Sequence, residues 1–398
     1  RPCTRCLDLM VMESAITPIG EGEVLLHAGL HKTGTTALQV ALADARGELE
    51  QHGVRYPGKG LYHHKAILAG ADRPYGWRNN GARITPKKHW NRMLKEADFA
   101  GRTIISSEFL DDIAPEIGAR VVDDLGGRER VNLVVTLRAI GNILPSAWQQ
   151  GLKAGVTTPY NQWLKVMFEE EQTTRAERFW FRHDQVEQLR RWSQVVGPDR
   201  TYAVIIPEGD RTAIFSAFEG LLGLPESFLA TREQIIQNRS MTAPEAEFVR
   251  QLNKELSGRM SWDEYTVMVR RALILNMVEN RRPASDEPKI VTPEWAADKA
   301  EEFGQRFAKG IAELGVNVIG DPADLALRPR AAASDEPEVL SIDAAVAGAS
   351  GLVLEALAER RALEEKLKTA NAPQPVPPRA KRWTARGAAR ALKRGFRN

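Results

Sequence analysis

The residues best suited to chemistry are consecutive: Gly29-Leu30-His31-Lys32-Thr33-Gly34-Thr35-Thr36. They follow an apolar run and open onto a helical pattern. Such a loop turns several backbone N–H groups and a helix N-terminus toward one point, which attracts anions. Gly29 and Gly34 permit a tight backbone, Lys32 adds a point charge, and Thr35 and Thr36 add hydroxyls on the first helical turn. A magnesium-nucleotide loop reads G-x-x-x-x-G-K-[ST], with Lys after the second Gly. Here Lys32 stands two residues before Gly34, and later strand-like runs end in Ser106-Ser107-Glu108 and Leu137-Arg138 rather than in a metal-binding Asp. This order predicts a phosphate-like group handled without a metal ion.

The elements that must position this loop are legible as alternating runs. Residues 24–28, 103–107, 131–137 and 201–206 are nearly continuous apolar stretches, as in parallel strands covered on both faces. Helical patterns are expected over 36–45, 109–125, 145–154 and 181–196, the last with apolar or aromatic residues at 181, 186, 189, 192 and 196. Strand–helix alternation implies an α/β fold of three layers with a central parallel sheet, whose ligands collect at the carboxyl ends of the strands. Residues 56–100 are punctuated by Gly and Pro and hold His63, His64, Trp77 and Trp90, the composition of a segment that covers a substrate.

The run LLHAGLHKTGTTALQ resembles the 5′-phosphosulfate-binding loop of sulfotransferases that use 3′-phosphoadenosine-5′-phosphosulfate (PAPS), bacterial members of which often read K-T-G-T-T. The resemblance implies a P-loop-NTPase-like fold, with Lys32, Thr33, Gly34, Thr35 and Thr36 on the cofactor. It also implies a strand-ending Arg and a Ser eight residues later that grip the 3′-phosphate. Arg138 and Ser146 stand at that spacing, and Pro145 predicts that Ser146 falls in a helix's first turn. Trp148-Gln149-Gln150, Lys153-x-Gly155, Gln237-Asn238-Arg239-Ser240 and Leu252-Asn253 extend the similarity more loosely, over about Glu23 to Asp321. Many members have Pro where this chain has His31. The implied activity is sulfuryl transfer from PAPS to a hydroxyl or amine of a glycan, glycolipid or other small acceptor, releasing adenosine 3′,5′-bisphosphate, with Lys32 stabilising the leaving group. The base is Glu108, at the end of its strand, or His64, in the segment after Tyr56-Pro57, with His63 and His31 behind them. Tyr62, Trp77, Trp90 and Trp163 are candidate acceptor-binding aromatics. Two other readings are a kinase-like phosphotransferase and a membrane-associated binding module.

Composition bounds the rest. Of 398 residues, 43% are hydrophobic and 27% charged, enough apolar surface for a full core. The formal charge is +3, but residues 379–398 hold eight basic residues and no acidic one, leaving a net −5 on the remainder. A mildly acidic body argues against nucleic acid as a partner. The basic tail predicts weak contact with an anionic membrane. Cys3 and Cys6 stand alone as a C-x-x-C pair, so no zinc site or disulfide framework is expected. The longest small and apolar run, 344–354, falls short of the roughly 20 residues that span a bilayer. The expected organisation is a disordered lead over 1–20, with Met10 and Met12 as candidate starts, a catalytic domain over 21–325, a linker and helix over 326–378, and a basic tail over 379–398. A cytoplasmic location is expected, with contact at the inner membrane face.

Overall fold

The computed structural model describes residues 16–30, 33–74, 84–169, 173–232, 239–332 and 342–370. The lead containing Cys3 and Cys6, residues His31 and Lys32, Trp77, Gln237, Asn238 and the tail 379–398 lie outside the described residues.

Among the described residues eight strands are formed: β1 (Val24–Gly29), β2 (Val54–Arg55), β3 (Arg102–Ser106), β4 (Val131–Leu137), β5 (Thr201–Ile205), β6 (Thr292–Pro293), β7 (Asn317–Ile319) and β8 (Ala331–Ala332). Six make one parallel sheet in the order β2-β3-β1-β4-β5-β7, while β6 pairs separately with β8. Every residue of β1 and β4 is buried, as the apolar runs require. Alternate side chains enter two cores. Val24, Leu26, Ala28, Leu133 and Val135 face one layer of helices. Leu25, Ile104, Val134 and Val204 meet Leu38, Leu42, Phe215 and Phe218 on the other. The three-layer α/β architecture read from the sequence is the one observed.

Three helices depart from expectation, each for a local reason. The stretch after β3 breaks at Ile113 and Ala114, both extended, because Pro115 disfavours a helical residue before it. A 3-10 turn over Glu108–Asp112 and a helix over Pro115–Asp124 result. The helix after β4 begins earlier, at Ile140, and runs to Leu152 with Pro145 inside it. Ser146 is therefore well inside that helix rather than in its first turn. The stretch 181–196 is split by Asp184, whose carboxylate accepts from Glu187 N at 2.9 Å and caps the helix Gln185–Val196. Phe181 belongs to the preceding helix, Thr174–His183.

Trp90 and Trp163, expected at an acceptor pocket, are core residues. Trp90 packs on Gly70 and donates its Nε1–H to Asp124 at 2.7 Å, while Trp163 packs between Tyr160 and Phe179.

The C-terminal helix spans Ile342–Ala370 and docks its first turns on a π-helix, Tyr265–Leu275. Ala344 is buried, and Gly348 lies against Leu273 and Phe248. At Gly351 the two backbones come so close that a Cβ would collide with the Ala272 carbonyl. Asn276 Nδ2 donates to the Ala347 carbonyl at 2.8 Å, and Arg281 Nε to Asp343 at 2.8 Å. Arg271 pairs with Glu355. Among the described residues, no helix is long and apolar enough to cross a membrane.

Candidate active site

Because β3, β1 and β4 are adjacent and parallel, the segments that follow them emerge side by side. The register sets His27 beside Ser106 and Gly29 beside Thr136. The Gly/Thr loop, Ser107-Glu108 and Arg138 thus leave the sheet at neighbouring points.

Gly29 ends β1 where no side chain fits, since a Cβ there would overlap the Thr35 hydroxyl and approach His27 Nε2 to 3.0 Å. Gly34, exposed and at φ 90°, takes a left-handed conformation that other residues resist, and it turns the chain into the helix Thr35–Asp44. Among the described residues no side chain caps this helix, and no acidic residue sits in its first turn. Ala37 N–H donates to the Gly34 carbonyl at 3.0 Å, while the N–H groups of Thr35 and Thr36 precede any intrahelical acceptor and meet no acidic side chain in that turn. Thr33 and Thr35 are buried beneath the loop, and Thr36 is half-buried. Thr33 Oγ1 donates to the Leu30 carbonyl at 2.7 Å, closing the loop on itself.

The two candidate bases come together. His64 opens the helix His64–Gly70, and Glu108 opens the 3-10 turn after β3. His64 Nε2 lies 3.4 Å from Glu108 Oε2, and both side chains are mostly buried. His64 Nδ1 lies 3.0 Å from Ser107 Oγ, which also accepts from Phe109 N at 3.3 Å. The imidazole stacks on Tyr62, with ring centroids 4.9 Å apart, and takes the edge of Phe109 at 4.9 Å. The Ser107 hydroxyl and the flanking rings fix the imidazole's orientation, and the nearby carboxylate, close to the other nitrogen without a hydrogen bond to it, lets this pair accept and hold a proton.

His63 does something else. Its Nδ1 accepts the Ser106 N–H at 3.1 Å, and its Nε2 donates to the Pro57 carbonyl at 2.9 Å. Burial pushes it down to about 4. With both nitrogens used and the ring neutral, His63 ties the segment bearing His64 to the end of β3.

Arg138 is half-buried. Its carbonyl accepts from Gln185 Nε2 at 2.6 Å, while its own buried Nε has no hydrogen-bond partner among the described residues. Ser146 donates its hydroxyl to the Ile143 carbonyl at 2.9 Å, so serving an anion requires that proton to rotate away. It lines a cavity of about 470 Å³ between the helix Ile140–Leu152, Arg239-Ser240 and the π-helix. Gln150 and Lys153 extend the helix side of that wall, and Thr266 and Arg270 face it from the π-helix.

The cavity is cationic, with no carboxylate among its lining residues. Arg239 forms a two-pronged pair with Glu245 at 2.6 and 2.7 Å, yet its buried Nε has no partner among the described residues, nor does Thr266 Oγ1. Burial lowers the pKa of Arg270, and the structure gives it no ion pair among the described residues. Buried donors without acceptors are costly unless a ligand supplies one. Arg239 and Ser240 were legible in the sequence; Thr266 and Arg270 were not, because only the π-helix brings them to this wall.

No protein-family model, no curated protein and no solved structure matches the chain.

Proposed function

We propose that the chain is a sulfotransferase that moves a sulfuryl group from PAPS to a hydroxyl or amine of a glycan, glycolipid or other small acceptor, by in-line transfer without a metal ion. The observation that carries this reading is the juxtaposition, on adjacent parallel strands, of an uncapped Gly/Thr loop after β1 and the His64–Glu108 pair after β3. It takes its donor from the resemblance of that loop to the family's.

The residues present fit such a donor. Among the described residues, Arg138 Nε, Arg239 Nε and Thr266 Oγ1 are buried donors in want of acceptors. The loop N–H groups, Lys32, Thr35 and Thr36 would hold the 5′ side, and Arg138, Ser146 and Arg270 the 3′-phosphate. PAPS, when bound, supplies the sulfuryl group and leaves as adenosine 3′,5′-bisphosphate.

The chain's own contribution is positioning and charge. Lys32 and the helix N-terminus stabilise negative charge developing at the loop. The His64–Glu108 pair takes the acceptor's proton as its oxygen or nitrogen bonds to sulfur. Ser107 holds the imidazole ring, and Tyr62, stacked on it and partly exposed, offers the acceptor an aromatic face.

Labelled transfer tests this directly. Sulfuryl label from PAPS should reach phenolic or sugar hydroxyls in excess chelator, and Glu108→Gln should lower kcat by roughly 10²–10⁴-fold with KM for PAPS little changed. Transfer only of phosphoryl groups from a magnesium nucleotide would replace this reading with the kinase-like one.

A further inference from the structure

His27 interrupts an otherwise apolar strand at the centre of the sheet and is completely buried. Neither ring nitrogen is bare. Nδ1 lies 2.9 Å from Ser106 Oγ on β3, and Nε2 lies 3.2 Å from Thr136 Oγ1 on β4. Ser106 Oγ also meets Gln39 Nε2 at 3.0 Å, and Thr136 Oγ1 meets Thr33 Oγ1 at 2.7 Å. Thr33 in turn reaches the Leu30 carbonyl at 2.7 Å.

Counting protons orders this chain. A carbonyl only accepts, so the Thr33 proton goes to Leu30. Thr136 must then donate to Thr33, and its remaining contact must come from an N–H on His27 Nε2. A neutral ring leaves Nδ1 as an acceptor, which takes the Ser106 proton, and Ser106 accepts from Gln39. Reversing the sequence would leave the Leu30 contact without a proton. A charged ring would add an N–H at Nδ1 and strand the Ser106 proton, and burial pushes His27 down to about 3.

We infer that His27 is a positioning residue for the anion loop: as the neutral Nε2–H tautomer, it carries a one-way hydrogen-bond relay from Gln39 to Leu30 that fixes both ends of the loop before any ligand arrives. The relay joins β3, β1 and β4 and ends on the two residues, Leu30 and Thr33, that flank His31-Lys32. It also explains why polar residues occupy the central strands at this depth: each satisfies the next, and the last satisfies the loop. Apart from Gln39 Oε1, which has no partner among the described residues, every side-chain group in the relay is paired, and such a buried network rigidifies what it touches. The ligand readout below rests on the proposed donor; the relay itself does not.

Thr136→Val keeps the shape and removes both hydrogen bonds, while Thr136→Ser restores a hydroxyl. Nitrogen-detected spectra of the ligand-free full chain should show His27 as the Nε2–H tautomer. Amide exchange over residues 33–38 should speed up roughly ten-fold more than elsewhere in the sheet in Thr136→Val, whose melting temperature falls because the His27 N–H loses its acceptor, and both should return toward wild type in Thr136→Ser. Affinity for adenosine 3′,5′-bisphosphate should follow the same order. An Nδ1–H tautomer, or loop exchange unchanged by Thr136→Val, overturns the inference. If the tautomer and exchange results hold but the wild-type chain binds no bisphosphate, the relay stands and the donor reading fails.

Discussion

His27 and His63 are both neutral, for reasons that differ in their partners. Each is held down by burial, His27 to about 3 and His63 to about 4, the latter against a Pro57 hydrogen bond that favours the charged ring. In the unfolded chain both titrate near 6.5. Between pH 6.5 and 4 the unfolded state therefore binds up to two more protons than the native state, so stability rises with pH and is lost on acidification. From pH 6.5 to 5 the two rings together should cost roughly 3 kcal/mol of unfolding free energy, read from denaturant curves. Asp112 enters only lower: burial raises its pKa, but hydrogen bonds from Arg182 and Arg73 hold the net value below 3.8. A flat stability between pH 7 and 5 would contradict both assignments. His27 could have been noticed in the sequence as a polar residue in an apolar strand. The Ser106 and Thr136 that satisfy it lie 79 and 109 residues away, and only strand pairing reveals them.

At the scale of elements, what was legible depended on how local the cause was. The four long strands follow from their apolar runs, and the loop-to-helix transition from Gly34. Helix boundaries failed where one residue decided them: Pro115 and Asp184 broke expected helices, and Pro145 was absorbed inside one. The run 344–354 shows a subtler failure. Its small residues read as weakly apolar sequence, yet Ala344, Gly348 and Gly351 form the face on which two helical backbones meet. Gly351→Ala should therefore push the C-terminal helix off the π-helix, weakening the Arg281–Asp343 and Arg271–Glu355 pairs and costing about 1–3 kcal/mol. Faster hydrogen exchange over 342–355 would report it. Gly47→Ala, on an exposed helix with open space around it, is the control and should be neutral or slightly stabilising. Equal behaviour of the two variants would mean that the close approach at Gly351 is not needed.

For the whole molecule, the parallel sheet with β1 at its centre converts residues 80 to 110 positions apart into one edge. The loop at 29–36, the pair His64–Glu108 and Arg138 were each named from local sequence. Their convergence follows from the order β3-β1-β4, which no local pattern states. Ser146 moved from a helix terminus to a cavity wall, and Thr266 and Arg270 joined it there, because a π-helix presents residues at spacings that an ordinary helical pattern does not anticipate. The most direct measurement of the central claim is calorimetric titration of the full chain with adenosine 3′,5′-bisphosphate in chelator, beside Lys32→Ala and Arg138→Ala. Tight binding without metal is expected, weakened roughly ten-fold or more by loss of the Arg138 guanidinium and also by loss of Lys32. Well-folded protein that binds no bisphosphate, or binds it equally well without Arg138, would contradict it.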